Sequence, residues 1–181
     1  PISNFMKWLG NLANINVEAS PILGGIAVSV LMGMILTLPI SSAALGVSMG
    51  LTGLAAGAAT IGCCCQMVGF AVASYRENKF GGFIAQGIGT SMLQVPNILR
   101  RPLIWLPPII SSAILGPIAS AVLHMVSTPI GSGMGSAGFV GQIAAYGAML
   151  ETGMSSKVAL IQIIIMHFVL PAVVTLIFSE G

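Results

Sequence analysis

The sequence predicts an all-α integral membrane protein: a polytopic helical bundle with broken helices and re-entrant hairpins. Three observations carry that prediction. Hydrophobic residues make up 56% of the chain and charged residues only 6%, where a soluble domain carries roughly 25% charged residues to cover its surface. Several apolar stretches, among them Ala19–Leu38, Ala43–Ser74, Leu103–Met125 and Val158–Phe178, reach the roughly 20 residues that a spanning helix needs. Between the last two lies Thr128–Gly141, which is glycine-rich and uncharged. Lipid cannot satisfy the backbone N–H and C=O groups of such a segment, so it has to be buried in protein or line a watery cavity.

Residues 1–18 are more polar than the rest of the chain, and Phe5, Met6, Trp8, Leu9 and Leu12 form an apolar face. This segment is expected to lie at the membrane interface. Residues 19–181 are expected to form a single transmembrane domain. Ala19–Leu38 is the first span, and Pro39–Ser42 reads as a break. Ala43–Ser74 is longer than one span requires, so a short segment, a tilt or an internal break is expected within it. Gly46, Gly50, Gly53 and Gly57 fall on one helix face, a stripe suited to close helix packing or to lining a passage. Cys63, Cys64 and Cys65 are consecutive within the run. They read as small, polarizable packing residues, with palmitoylation as the rival.

Tyr75–Lys79 and Arg100–Pro102 are short hydrophilic loops, and the positive-inside rule places both in the cytoplasm. Phe80–Leu99, with both ends on one side, should dip in and return or lie along the surface. Gln86, Thr90, Gln94 and Asn97 repeat on one helical face, as a solvated face or as a lining for a polar solute. The expected path runs outward through Ala19–Leu38 and returns through Ala43–Ser74. It goes outward again through Leu103–Met125, dips at the glycine loop and returns through Val158–Phe178. Both termini are then cytoplasmic.

Few residues offer chemistry. Gly133-x-Gly135-x-x-Gly138 matches a dinucleotide fingerprint by letter but lacks the strand and the βαβ context that binding requires. Ionisable groups within or beside membrane spans are costly and mark functional positions; His124, Glu151 and His167 stand out. His124, Thr128, Ser132 and Glu151 bracket the glycine loop, and its backbone at Gly131 and Gly133 offers further polar groups. No catalytic residues, metal-ligand cluster or cofactor site are visible. The net charge of +2, without a basic cluster, argues against nucleic acid as a partner.

One set of motifs goes further. Thr128-Pro129-x-Gly131-Ser132-Gly133-Met134-Gly135, Val140-Gly141-Gln142, Gly81-Gly82-Phe83-Ile84-Ala85-Gln86-Gly87-Ile88-Gly89-Thr90-Ser91 and Asn97-x-x-Arg100-x-Pro102 resemble the enzyme IIC-like membrane permeases of the bacterial phosphotransferase system. The resemblance covers about Ala19–Phe178 and implies a dimeric sugar permease of the bacterial inner membrane, with re-entrant hairpins holding the solute. It implies a separate IIB protein supplying the phosphate, and a longer parent chain of which this is the C-terminal portion. By similarity, a His and a Glu near the hairpins contact sugar hydroxyls; His124 and Glu151 are the nearest matches. The expected solute-contacting set is therefore Gln86, Thr90, Gln94, Asn97, His124, Thr128, Gly131, Ser132, Gly133 and Glu151. A non-transporting sensor on the same fold is the second reading, and a glycine-packed channel the third.

Overall fold

A computed structural model describes residues 1–180. Its organising element is the helix Gly53–Ala73 (α4), whose sequence is dominated by Gly, Ala and Cys. Side chains this small leave the backbone open to close approach from every direction. The helix is accordingly sheathed by protein: 94% of its most apolar window is buried. A Cβ on Gly62 would lie 1.8 Å from the Ser29 carbonyl oxygen, and one on Gly57 would lie 2.0 Å from that of Met125. The cysteines are fully buried within this packing. Cys63 Sγ lies 3.5 Å from the Met32 carbonyl oxygen, and acylation has no route to any of the three thiols.

Around α4 stand Pro21–Thr37 (α2), Leu106–Pro117 (α7) and the pair Ser156–Ile164 (α9) and Leu170–Glu180 (α10). The remaining helices are Ile2–Ala19 (α1), Ser42–Met49 (α3), Tyr75–Ile84 (α5), Val95–Arg100 (α6) and Val140–Glu151 (α8). Gly53–Ala73, Pro102–Val122 and Ser156–Glu180 are long and apolar enough to cross a membrane, and α2 is a shorter apolar helix. This is an all-α, multi-pass membrane protein.

The directions of these helices differ from the expected path. Along α2, Ser29 meets Gly62 and Thr37 meets Gln66, so α2 and α4 run the same way. Ser112 then donates to the Gly62 carbonyl at 3.4 Å and Ser120 to the Pro21 carbonyl at 2.6 Å, so α7 runs against both. Thr175 sits on Gly69 and Glu180 pairs with Arg76 at 2.7 Å, so α9–α10 runs with α4. Ala19–Leu38 and Ala43–Ser74 therefore do not form the antiparallel pair that the charge pattern suggested. The start of α2 lies at the end opposite the basic loops, whereas α10 ends beside them at Arg76, so the two do not share an end of the bundle. The physical reason is the internal break in the long apolar run. The chain returns from Thr37 as the short helix α3 and an extended link, then starts α4.

That break also disposes of the single glycine stripe. Gly50 caps α3 in a left-handed conformation (φ 66°) and Gly53 opens α4 with φ 55°. Gly46 and Gly57 therefore belong to different helices. The freed backbone is satisfied from α1. Asn14 Nδ2 donates to the Gly50 carbonyl at 3.0 Å, and the Thr52 N–H donates to Asn14 Oδ1 at 3.2 Å. The Ser127 N–H donates to the Gly53 carbonyl at 3.3 Å, an isolated antiparallel bridge between the two unwound segments. Beyond it, the irregular stretch is flanked by two non-glycine residues in left-handed conformations, His124 (φ 49°) and Phe139 (φ 59°). Such backbone persists only where its surroundings hold it. Opposite its bundle face of Gly10 and Val17, α1 exposes Ile2, Phe5, Trp8, Leu12 and Ile15.

The packing predicts two opposite outcomes for glycine substitution. Gly62→Ala should lower stability by about 2–3 kcal/mol, because the methyl group meets rigid backbone. Gly147, with open space around it, should accept alanine with a gain of up to about 1 kcal/mol from helix propensity. Thermal unfolding read by a thiol-reactive dye on the buried cysteines separates the two; equal midpoints would refute the packing account.

Candidate functional site

A cavity of about 770 Å³ opens at the end of the bundle that carries the basic loops. Its walls come from the end of α4 (Phe70, Ser74), from α5 (Glu77, Asn78), from the segment Gln94–Arg101 and from the start of the α7 span. The chain between α5 and α6 is not continuous α-helix. A π-helical turn at Ala85–Gly89 and a 3-10 turn at Ser91–Gln94 separate them. Within the π-helical turn, Gly87 packs against Ala71 of α4.

The altered pitch joins three of the four expected polar residues into one hydrogen-bonded chain. Gln86 Nε2 donates to Ser74 Oγ at 2.9 Å, Gln94 Nε2 to Gln86 Oε1 at 2.7 Å, and Asn97 Nδ2 to Gln94 Oε1 at 3.0 Å. Gln86 and Gln94 are buried, whereas Asn97 is exposed; Ser74, Gln94 and Asn97 line the cavity. Thr90 stands apart. Its Oγ1 accepts the Met92 N–H at 3.1 Å and caps the 3-10 turn.

The glycine loop uses its polar groups differently. Thr128 Oγ1 accepts from the Gly131 N–H at 3.2 Å, and Ser132 Oγ donates to the Pro129 carbonyl at 2.6 Å. The Ser132 carbonyl lies 3.4 Å from Cys63 Sγ, and the Gly133 carbonyl accepts from Ser42 Oγ at 2.5 Å. Glycine is needed at 133, where a Cβ would lie 2.2 Å from the Ser42 carbonyl oxygen. Thr128, Gly131, Ser132 and Gly133 are thus brought together against α3 and α4, and none of them lines the 770 Å³ cavity. Ser136 Oγ donates to the Gly87 carbonyl and ties the loop to the turn between α5 and α6.

His124 and Glu151 are both exposed, the first beyond the end of the α7 span and the second at the end of α8. They flank the loop in sequence but stand at the end of the bundle away from the 770 Å³ cavity.

Two further polar clusters lie outside the expected set. Gln66, fully buried on α4, accepts through Oε1 from Trp105 Nε1 at 2.9 Å and from Thr37 Oγ1 at 3.2 Å. Thr37 Oγ1 in turn lies 3.0 Å from Ser91 Oγ. On another face of α4, Gln142 Nε2 lies 3.0 Å from His167 Nδ1 and 3.4 Å from Cys64 Sγ. His167 occupies a π-helical turn, Ile165–Val169, between α9 and α10. The sequence offers little signal for Gln66: a neutral amide in an apolar span costs far less to bury than a charge, and a single one has no period.

Comparison with known proteins fits this architecture. No curated protein and no solved structure matches the chain. The family model described as phosphotransferase system, EIIC, matches residues 1–181, the full length of the sequence. That coverage and the multi-pass helical bundle lead to one conclusion: the chain belongs to the phosphotransferase system EIIC family.

Proposed function

We propose that the protein is the permease component of a sugar phosphotransferase complex in the bacterial inner membrane. In this reading it binds a sugar, carries it inward and releases it where a separate IIB protein supplies the phosphate. The observation that carries the reading is the chain Ser74–Gln86–Gln94–Asn97 leading into the cavity of about 770 Å³. Side-chain amides donate and accept at once, which matches hydroxyl groups that do the same. A cavity of this size is ample for a small ligand.

The charge around the cavity supports the coupling. Arg100 and Arg101 line it, and four of the six basic residues (Arg76, Lys79, Arg100 and Arg101) lie in the two loops at this end. The positive-inside rule assigns that end to the cytoplasm, where the phosphate donor works. The helix–break–helix unit Tyr75–Arg100 and the loop after α7 are the proposed re-entrant hairpins, touching through Ser136 and Gly87. Thr128, Gly131, Ser132 and Gly133 then supply the inner wall of the path when the loop separates from α3, and Thr90 holds the turn beneath it. His124 and Glu151 are proposed contacts on the outward face. The protein is proposed to work as a homodimer, as its family resemblance implies.

Equilibrium binding of a panel of neutral hexoses, hexitols and N-acetylhexosamines to the protein in lipid nanodiscs should find a ligand. Gln94→Ala and Asn97→Ala should each weaken it by about tenfold, the worth of one or two hydrogen bonds. Absence of binding across the panel would remove the sugar reading. In proteoliposomes, Arg100→Glu with Arg101→Glu should reduce IIB-dependent phosphorylation by at least about tenfold more than it reduces sugar affinity, because charge reversal acts on an anionic partner. Unchanged phosphorylation would count against the cavity mouth as the coupling face.

A further inference from the structure

Gln66 has one amide orientation available to it. Its nearest partner is the indole Nε1 of Trp105 at 2.9 Å, and an indole nitrogen only donates. The atom facing Trp105 must therefore be the carbonyl oxygen, because the flipped amide would set donor against donor. Thr37 Oγ1 reaches the same oxygen at 3.2 Å, and Ser91 Oγ stands 3.0 Å behind Thr37. With its oxygen engaged by both, the amide must aim its NH₂ the other way. There Nε2 has no hydrogen-bond partner among the described residues, although Gln66 is 0% exposed. A buried donor left unmade is expensive, more so in apolar surroundings.

Its position gives the orphan donor a use. Phe70 lies four residues further along α4, one helical turn away, and lines the cavity at the basic end; Ile104 and Pro107, on either side of Trp105, line it as well. Gln66 and Trp105 therefore sit beneath the cavity floor. Ser91 belongs to the turn between α5 and α6, so the same side chains join that turn to α2, α4 and the start of the α7 span.

We propose that the Gln66 amide is a deep, donor-only contact for an oxygen of the transported solute, held in that orientation by Trp105. The inference rests on the sugar-permease reading and adds the residue that discriminates among hydroxyl positions. A solute oxygen that accepts a hydrogen bond from Nε2 completes the amide, and a solute lacking an acceptor there leaves it unpaired. Trp105 is the positioning residue: it touches Gln66 and fixes which end of the amide is presented.

The test uses the full chain in lipid nanodiscs and the tightest ligand from the panel of hexoses, hexitols and N-acetylhexosamines. Each hydroxyl of that ligand is replaced in turn by hydrogen and by fluorine, which keeps an acceptor but loses the donor. In the wild-type protein the fluoro analogue should bind about tenfold more tightly than the deoxy analogue at one position. Gln66→Met should erase that gap, and Gln66→Glu should reverse it. Trp105→Phe, which leaves Gln66 in place and frees its amide to turn, should narrow the gap; it serves if the Gln66 variants fail to fold. A purely structural role would lower thermal stability and leave the ratio of analogue affinities unchanged. A wild-type protein with no such gap at any position, or a gap that persists in Gln66→Met or Trp105→Phe, overturns the proposal while sugar binding itself stands. Failure of every panel member to bind removes the sugar reading and this inference together.

Discussion

The bundle depends on one helix having glycine, alanine or cysteine at most of its positions. Because α4 presents glycine, alanine and cysteine on its surface, backbone atoms of α2 and of the segment after α7 come into direct contact with it at Gly62 and Gly57. Irregular backbone is ruinous in lipid because its polar groups go unpaired. Placed against so slim a helix, it falls within reach of partners. The hydrogen bond from Ser42 to the Gly133 carbonyl and the bridge from Ser127 to Gly53 are formed in that crowded layer. Close packing and broken helices are thus two sides of one arrangement.

The polar interior is distributed accordingly. It forms short chains, each crossing between elements: Ser74–Gln86–Gln94–Asn97 at the basic end, Ser91–Thr37–Gln66–Trp105 below it, and Cys64–Gln142–His167 on another face of α4. Every chain includes a residue from an irregular turn or an element joined directly to one. Rearrangement of a turn therefore exchanges hydrogen bonds inside the bundle and need not expose bare backbone to lipid.

Much of this is legible in the sequence, for physical reasons that also mark its limits. Membrane residence comes from composition, and the need to shelter Thr128–Gly141 comes from its glycines. The stripe of Gln86, Gln94 and Asn97 is readable because helical spacing survives, approximately, through a π turn followed by a 3-10 turn; the compensation is imperfect and drops Thr90. The direction of α2 is not readable. Charges label loops, and Pro39–Thr52 carries none, so nothing in its letters distinguishes a turn from a return stroke. Gln66 is silent in the sequence because a single amide among apolar letters has no period; only Trp105, far along the chain, gives it meaning. His124 and Glu151 do flank the loop, but adjacency in sequence does not determine which end of a bundle a residue faces.

The parallel course of α2 and α4 bears on how the protein is made. Consecutive spans ordinarily enter the bilayer as a hairpin, each helix satisfied as it leaves the ribosome. Here the link between them is a short helix and an extended strand of backbone whose partners come from both sides in the chain. Asn14 is already synthesised when Gly50 and Thr52 emerge, and can hold them at once. Ser127 and Gly133, which pair with Gly53 and Ser42, are translated much later. The hydrogen bonds that tie Gly53 and Ser42 to Ser127 and Gly133 can therefore form only after the glycine loop has been made, so the order of the chain matters to assembly of this bundle as well as its hydrophobicity.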